Sequence, residues 1–191
     1  GAVVGYNPHK SGRPSHTYHT YMIANLRLIL EVEVQDGDQS SAAYSAPGLW
    51  ALLDRMPRTN WPTFIRGDCD WGNDTIMTEA EQRGIDYLFK LRKSPYVKKL
   101  ILQQHCKPGW EKTHAGWEAF STELKLSTWK EPRRVVLVRR RLQENIVIAP
   151  DSDKALPHQL SLLEPAEDMA AFEYSVLVTS LASEVVTIVQ H

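Results

Sequence analysis

Between Thr63 and Leu91 the chain has few ways to fold. Thr63-Phe64-Ile65-Arg66 is a short apolar run that ends on a charge. Asn73 or Asp74 can cap a helix running through Arg83, with Ile76, Met77 and Ala80 on one face. Gly84 fits the position just past the helix end. Ile85-Asp86-Tyr87-Leu88-Phe89-Lys90-Leu91 then reads as a second strand. Strand, helix, strand at this length predicts a βαβ unit, with parallel strands and a right-handed crossover.

The first strand gives out into Gly67-Asp68-Cys69-Asp70-Trp71-Gly72. In open α/β sheets, ligands bind just beyond the carboxyl ends of the strands. A bare carboxylate there has a purpose if it holds a hard divalent cation. The plainer reading is an acidic loop that only stays hydrated, and this stretch alone leaves both open.

The 191 residues suffice for one domain with a good core, or for a domain carrying a sizeable insertion. Apolar runs are too short to cross a bilayer as a helix, and Gly1-Ala2-Val3-Val4-Gly5 lacks the charged leader and long apolar core of a signal peptide. The chain starts without methionine and ends on His191 in mid-pattern, as an internal fragment would. Two cysteines, Cys69 and Cys106, argue against a disulfide framework and fit a reducing compartment. His105, Cys106 and His114 do not complete a zinc-ligand frame.

A net charge of −1 conceals a strong asymmetry. Residues 83–141 carry 15 basic and 5 acidic side chains, whereas 142–191 carry 1 basic and 8 acidic. The middle segment suits a polyanion, or it presents solvated faces paired with the acidic tail.

In chain order, Gly5 to Ser15 is punctuated by Asn-Pro, Ser-Gly and Arg-Pro and reads as a loop. It places Lys10 and Arg13 where phosphate could meet them. His19 to Gln35 reads as two strands with a turn near Asn25. Leu28, Leu30, Val32 and Val34 alternate with Ile29, Glu31 and Glu33, so one face is much more polar than the other. Ser45-Ala46-Pro47 predicts a helix start with Pro47 in its first turn, and Leu49, Trp50, Leu52, Leu53 and Met56 form its apolar stripe. Ser94-Pro95 opens another helix. Thr122–Leu126 and Arg134–Arg139 read as strands, and Gln143–Ile148 as a hairpin partner. Residues 149–170 look irregular, Phe172–Thr179 is a strong strand, and Glu184–His191 opens a helix.

This order resembles the DDE transposases of bacterial insertion sequences, whose catalytic domain is RNase H-like. Three stretches carry the likeness: the loop from Gly5-Tyr6-Asn7-Pro8 to Ser15, the motif Ile65-Arg66-Gly67-Asp68-Cys69-Asp70-Trp71-Gly72, and the strand Phe172–Thr179. The implied fold is an α/β (mixed α+β) RNase H-like core lacking its first strand, with a β-rich insertion. Residues 1–105 would be the partial core, 106–171 the insertion, and 172–191 the return strand and the start of the last core helix.

The resemblance implies metal-dependent DNA cleavage and strand transfer by three carboxylates around two Mg²⁺ or Mn²⁺ ions. Only Asp68 maps onto this chain, as the second catalytic, metal-binding Asp, because Trp71 and Gly72 follow at the family's offsets. The first Asp would precede Gly1, and the Glu would follow His191; Glu184 lacks the accompanying Tyr and Arg. Asp70 departs from the family pattern. DNA, meaning element ends and target, would be the partner, through Lys10, Arg13, Arg133, Arg134, Arg139 and Arg141. A homodimer would form in the DNA complex. The expected location is the bacterial cytoplasm at the nucleoid, with no membrane. The alternatives are a non-catalytic DNA-binding or assembly fragment of a decayed transposase, and a metal-dependent nuclease of the same fold.

Overall fold

A computed structural model describes residues 2–5, 12–38, 41–142, 169 and 171–190. It is a mixed α and β structure that divides into two compact units, Gly1–Tyr87 and Leu88–His191. Lys10 and the expected hairpin partner Gln143–Ile148 lie outside the described residues.

The first unit opens with a three-stranded antiparallel meander: β1 (Val3–Val4), β2 (Pro14–Ile23) and β3 (Leu28–Asp36). The expected loop through Ser15 is therefore shorter, because Pro14 and Ser15 already pair with Val4 and Val3. Proline is acceptable as the first residue of a strand, where its missing N–H costs least. The β2–β3 register pairs Tyr18 with Val34, His19 with Glu33 and Tyr21 with Glu31, then slips so that Met22 faces Ile29. Leu30 is the extra residue of this bulge.

The meander is inverted in polarity. His19 and Tyr21 are buried and Glu31 and Glu33 half-buried, whereas Tyr18, Val32 and Val34 are exposed. What draws the polar face inward is pairing to α1 (Ser41–Asp54). The Tyr21 hydroxyl lies 3.0 Å from both Glu33 Oε2 and the Ser45 carbonyl, and Arg55 pairs with Glu31. Gly48 lets the helix come this close, since a Cβ there would fall 2.1 Å from the Tyr21 hydroxyl. Burial and the neighbouring Glu33 carboxylate hold the Tyr21 phenol well above its ordinary pKa.

Helix α1 begins at Ser41, so Pro47 lies inside it and not in its first turn. Interior proline forfeits one backbone hydrogen bond. The extra turn is held instead by Ala42, Ser45 and Ala46, all buried. After α1 come β4 (Phe64–Gly67), α2 (Asp74–Gln82) and the start of β5 (Asp86–Lys90). Asn73 caps α2 by accepting the Ile76 N–H at 3.1 Å, and Gly84 takes the left-handed conformation beyond its end (φ +63°). The Asp86 N–H donates to the Thr63 carbonyl at 3.1 Å beside β4. Arg83 locks the unit by bonding Asp54 at 2.6 Å and Glu79 at 2.7 Å, with its guanidinium over the rings of Trp50 and Trp61. That hydrogen bond holds the exposed Asp54 carboxyl below its ordinary pKa.

The second unit is an antiparallel sheet. Its further elements are α3 (Pro95–His105), β6 (Glu111–Lys112), β7 (Trp117–Leu124), β8 (Arg133–Arg141), β9 (Phe172–Thr179) and α4 (Val185–Gln190). Strand order is β5-β9-β8-β7-β6. Val135, Val136, Leu137 and Val138 are all buried, which explains a continuous apolar run in place of alternation. Val136 and Val138 pack with Leu88, Ala119, Val185 and Ile188. On the opposite face Arg139, two residues beyond Leu137, bonds to the end of α3 through the His105 carbonyl at 2.9 Å. Strand β7 starts at Trp117, five residues before the expected Thr122, because Ala115 (φ +54°) and Gly116 (φ +77°) turn the chain straight into it.

Candidate functional site

Strand β4 ends at Gly67, and Asp68 follows it as an exposed residue. The turn is built from the acidic residues themselves. Asp68 Oδ1 accepts the Asp70 N–H at 3.3 Å, the Asp68 carbonyl accepts the Trp71 N–H at 3.2 Å, and Asn73 Nδ2 donates to the Asp70 carbonyl at 3.0 Å. Asparagine and aspartate suit such turns because their short side chains reach nearby backbone groups. The Trp71 ring then folds back over Gly67, where an added Cβ would lie 2.5 Å from the indole Cγ. The glycine and the tryptophan thus fix the turn that presents Asp68.

A hollow of about 460 Å³ opens beside this turn. Asp70, Asn73, Glu79 and Trp50 help to line it; Asp68 does not. Asp68 and Asp70 offer hard oxygen, which matches Mg²⁺ or Mn²⁺ in kind. They do not match two such ions in number, because Mg²⁺ demands near-octahedral coordination and gives up water reluctantly. Among the described residues, no three His, Cys, Asp or Glu side chains converge as a metal site.

The arginines singled out for DNA fall into two groups. Arg13 and Arg141 are exposed. Arg133 is only 8% exposed. Arg134 bonds Ser121 Oγ at 3.0 Å and the Leu181 and Ser183 carbonyls at 2.7 and 2.8 Å, so it secures the approach to α4. Arg139 pairs with Glu118 at 2.7 Å and lies 3.9 Å above the Trp110 ring and 4.8 Å from the Phe172 ring. Arg140 pairs with Glu173 at 3.1 Å and covers Trp117. Trp129 is buried, and Trp110 and Trp117 are half-buried beneath arginines, which assigns all three to packing.

The exposed cations that sequence reasoning passed over include Lys93, Lys99, Lys107 and Lys112. Lys99 had a readable signal. It lies between Val97, Leu100 and Ile101, the buried stripe of α3, and therefore belongs to the helix's outer arc. Among the described residues, no helix is long and apolar enough to cross a membrane. Comparison with protein-family models, curated proteins and solved structures returned no match.

Proposed function

We propose that this chain is part of a DDE transposase with an RNase H-like catalytic core, acting on the phosphodiesters of a mobile element. The observation that carries the reading is Asp68. It is an exposed carboxylate immediately beyond a strand, in a turn held by its own side chain and by Trp71 over Gly67. Such a position can put a charged oxygen on a divalent ion without a burial cost. Metal at this site would supply charge stabilisation and an activated nucleophile. Asp68 takes one place in a ligand set whose other carboxylates the resemblance puts outside residues 1–191. DNA would meet the exposed cations, Arg13 and Arg141 among them, while Arg139 keeps its guanidinium within the fold.

The test is Asp68→Asn in the complete protein. The substitution removes a charged ligand with almost no change in volume. Folding and DNA binding should persist, and strand cleavage should disappear. Cleavage at the wild-type rate would remove Asp68 from the chemistry. A complete wild-type protein that binds DNA but never cuts it would favour a non-catalytic DNA-binding or assembly role.

A further inference from the structure

The hollow beside the β4–α2 turn is a groove between two helix faces. Ala42, Ala46 and Trp50 recur every fourth residue of α1 and form one stripe, with Pro47 beside it. Thr75, Ile76 and Glu79 line it from α2. Asn73 and Asp70 stand at the N-terminal end of α2, joined by the 3.0 Å bond from Asn73 Nδ2 to the Asp70 carbonyl. The alanines are too short to fill the space, and Trp50 and Ile76 give it apolar walls. At about 460 Å³ it is large enough for a small organic molecule.

The ionisable lining is acidic. Asp70 and Glu79 border the groove, and among the described residues no Lys, Arg or His does. Arg83 bonds Glu79 Oε1 at 2.7 Å, but it also grips Asp54 with two nitrogens, at 2.6 and 3.3 Å. One guanidinium is thus shared by two carboxylates, and Asp70 adds a third negative group. The helical rise places Glu79 roughly 9 Å along the axis from the cap Asn73. Negative charge therefore stands at two separated places with apolar wall between them.

We propose that this groove binds a small linear aliphatic diamine in its doubly protonated form. One ammonium meets Asp70 and the other Glu79, while the methylenes lie along Trp50, Ile76 and the two alanines. A bare metal ion fits less well, because the apolar wall offers no oxygen to replace its water. A monoamine would leave one carboxylate partly desolvated and unmatched. Asp68 lies outside the groove, so diamine binding there is independent of any metal at Asp68.

Isothermal titration calorimetry of the 191-residue chain with hexamethylenediamine, in metal-free buffer at low salt, tests this. Saturable binding of a single diamine per chain is expected. Hexylamine should bind roughly 3- to 10-fold more weakly, and hexanediol should not bind measurably. Asp70→Asn and Glu79→Gln should each weaken the diamine by a similar factor, to the affinity that wild type shows for hexylamine. Thr75→Lys, at an exposed position, tethers a competing ammonium at the groove and should weaken it too. Far-UV circular dichroism checks that each variant keeps its fold. Absence of saturable diamine binding, equal affinity for hexylamine or hexanediol, or full affinity in both carboxylate variants would overturn the proposal. Displacement of the diamine by an equal concentration of Mg²⁺ would also overturn it, since the groove would then be an inorganic-cation site.

Discussion

The indole of Trp71 occupies the space that a side chain on Gly67 would need, with Cγ only 2.5 Å from the position of an added Cβ. The obstructing atoms belong to a bulky ring that cannot step aside without moving the turn. Gly67→Ala should therefore cost about 1 to 3 kcal/mol of stability, the usual penalty of overpacking. Near-ultraviolet circular dichroism should show an altered tryptophan band. If Asp68 holds metal as proposed, cleavage by the complete protein should fall with it, because the displaced turn carries Asp68.

Arg139 and Arg141 lie two residues apart on β8 and should behave differently. Arg139→Ala leaves Glu118 without its partner and removes the cation above Trp110. A loss of about 2 to 3 kcal/mol in urea denaturation is expected. Arg141→Ala should stay within about 0.5 kcal/mol of wild type. If Arg141 contacts phosphate, its loss should reduce the log–log salt slope of duplex DNA binding by about 0.9.

Alkaline pH should loosen the first unit through Tyr21. Burial and Glu33 raise the folded phenol's pKa above the ordinary value of 10.0. Its contribution is therefore fully present below pH 10 and is lost as pH rises through the folded value. Denaturation midpoints measured from pH 8 to 11 should fall in wild type and fall less in Tyr21→Phe.

The acid side has its own sensor in Asp54, whose carboxyl Arg83 holds below its ordinary 3.8. Here the contribution is present above pH 3.8 and disappears as pH falls through the lower folded value. Asp54→Asn should narrow the difference in stability between pH 6 and pH 3.

The strand–helix–strand stretch was legible because each punctuation mark has a single mechanism. Asn73 caps, Gly84 supplies a positive φ, and Ser94 with Pro95 opens α3. Phe172–Thr179 is a strand over the same residues that its composition indicates. Helix α1 was less legible, because Pro47 signals a first turn locally and only the burial of Ala42 and Ala46 reveals the turn before it. The polarity of β3 was readable, but not which face turns inward: that depends on Tyr21, Ser45 and Arg55, all distant in sequence. The turn was legible as a carboxylate just beyond a strand end, Asp68 with Trp71 three residues on. The role of Gly67 beneath the ring was not, since a glycine in sequence does not show what it makes room for. Charge counting likewise could not tell Arg141, in water, from Arg139, between aromatic rings.

Strands β8 and β9 are paired from Val135–Val178 to Arg141–Phe172, and the Leu142 N–H closes the ladder on the Ala171 carbonyl at 2.7 Å. Each of these rungs joins a residue of β8 or its end to one of β9 or its start. An experimenter following hydrogen exchange thus has a zipper whose teeth, from Val135–Val178 to Leu142–Ala171, should open as one block.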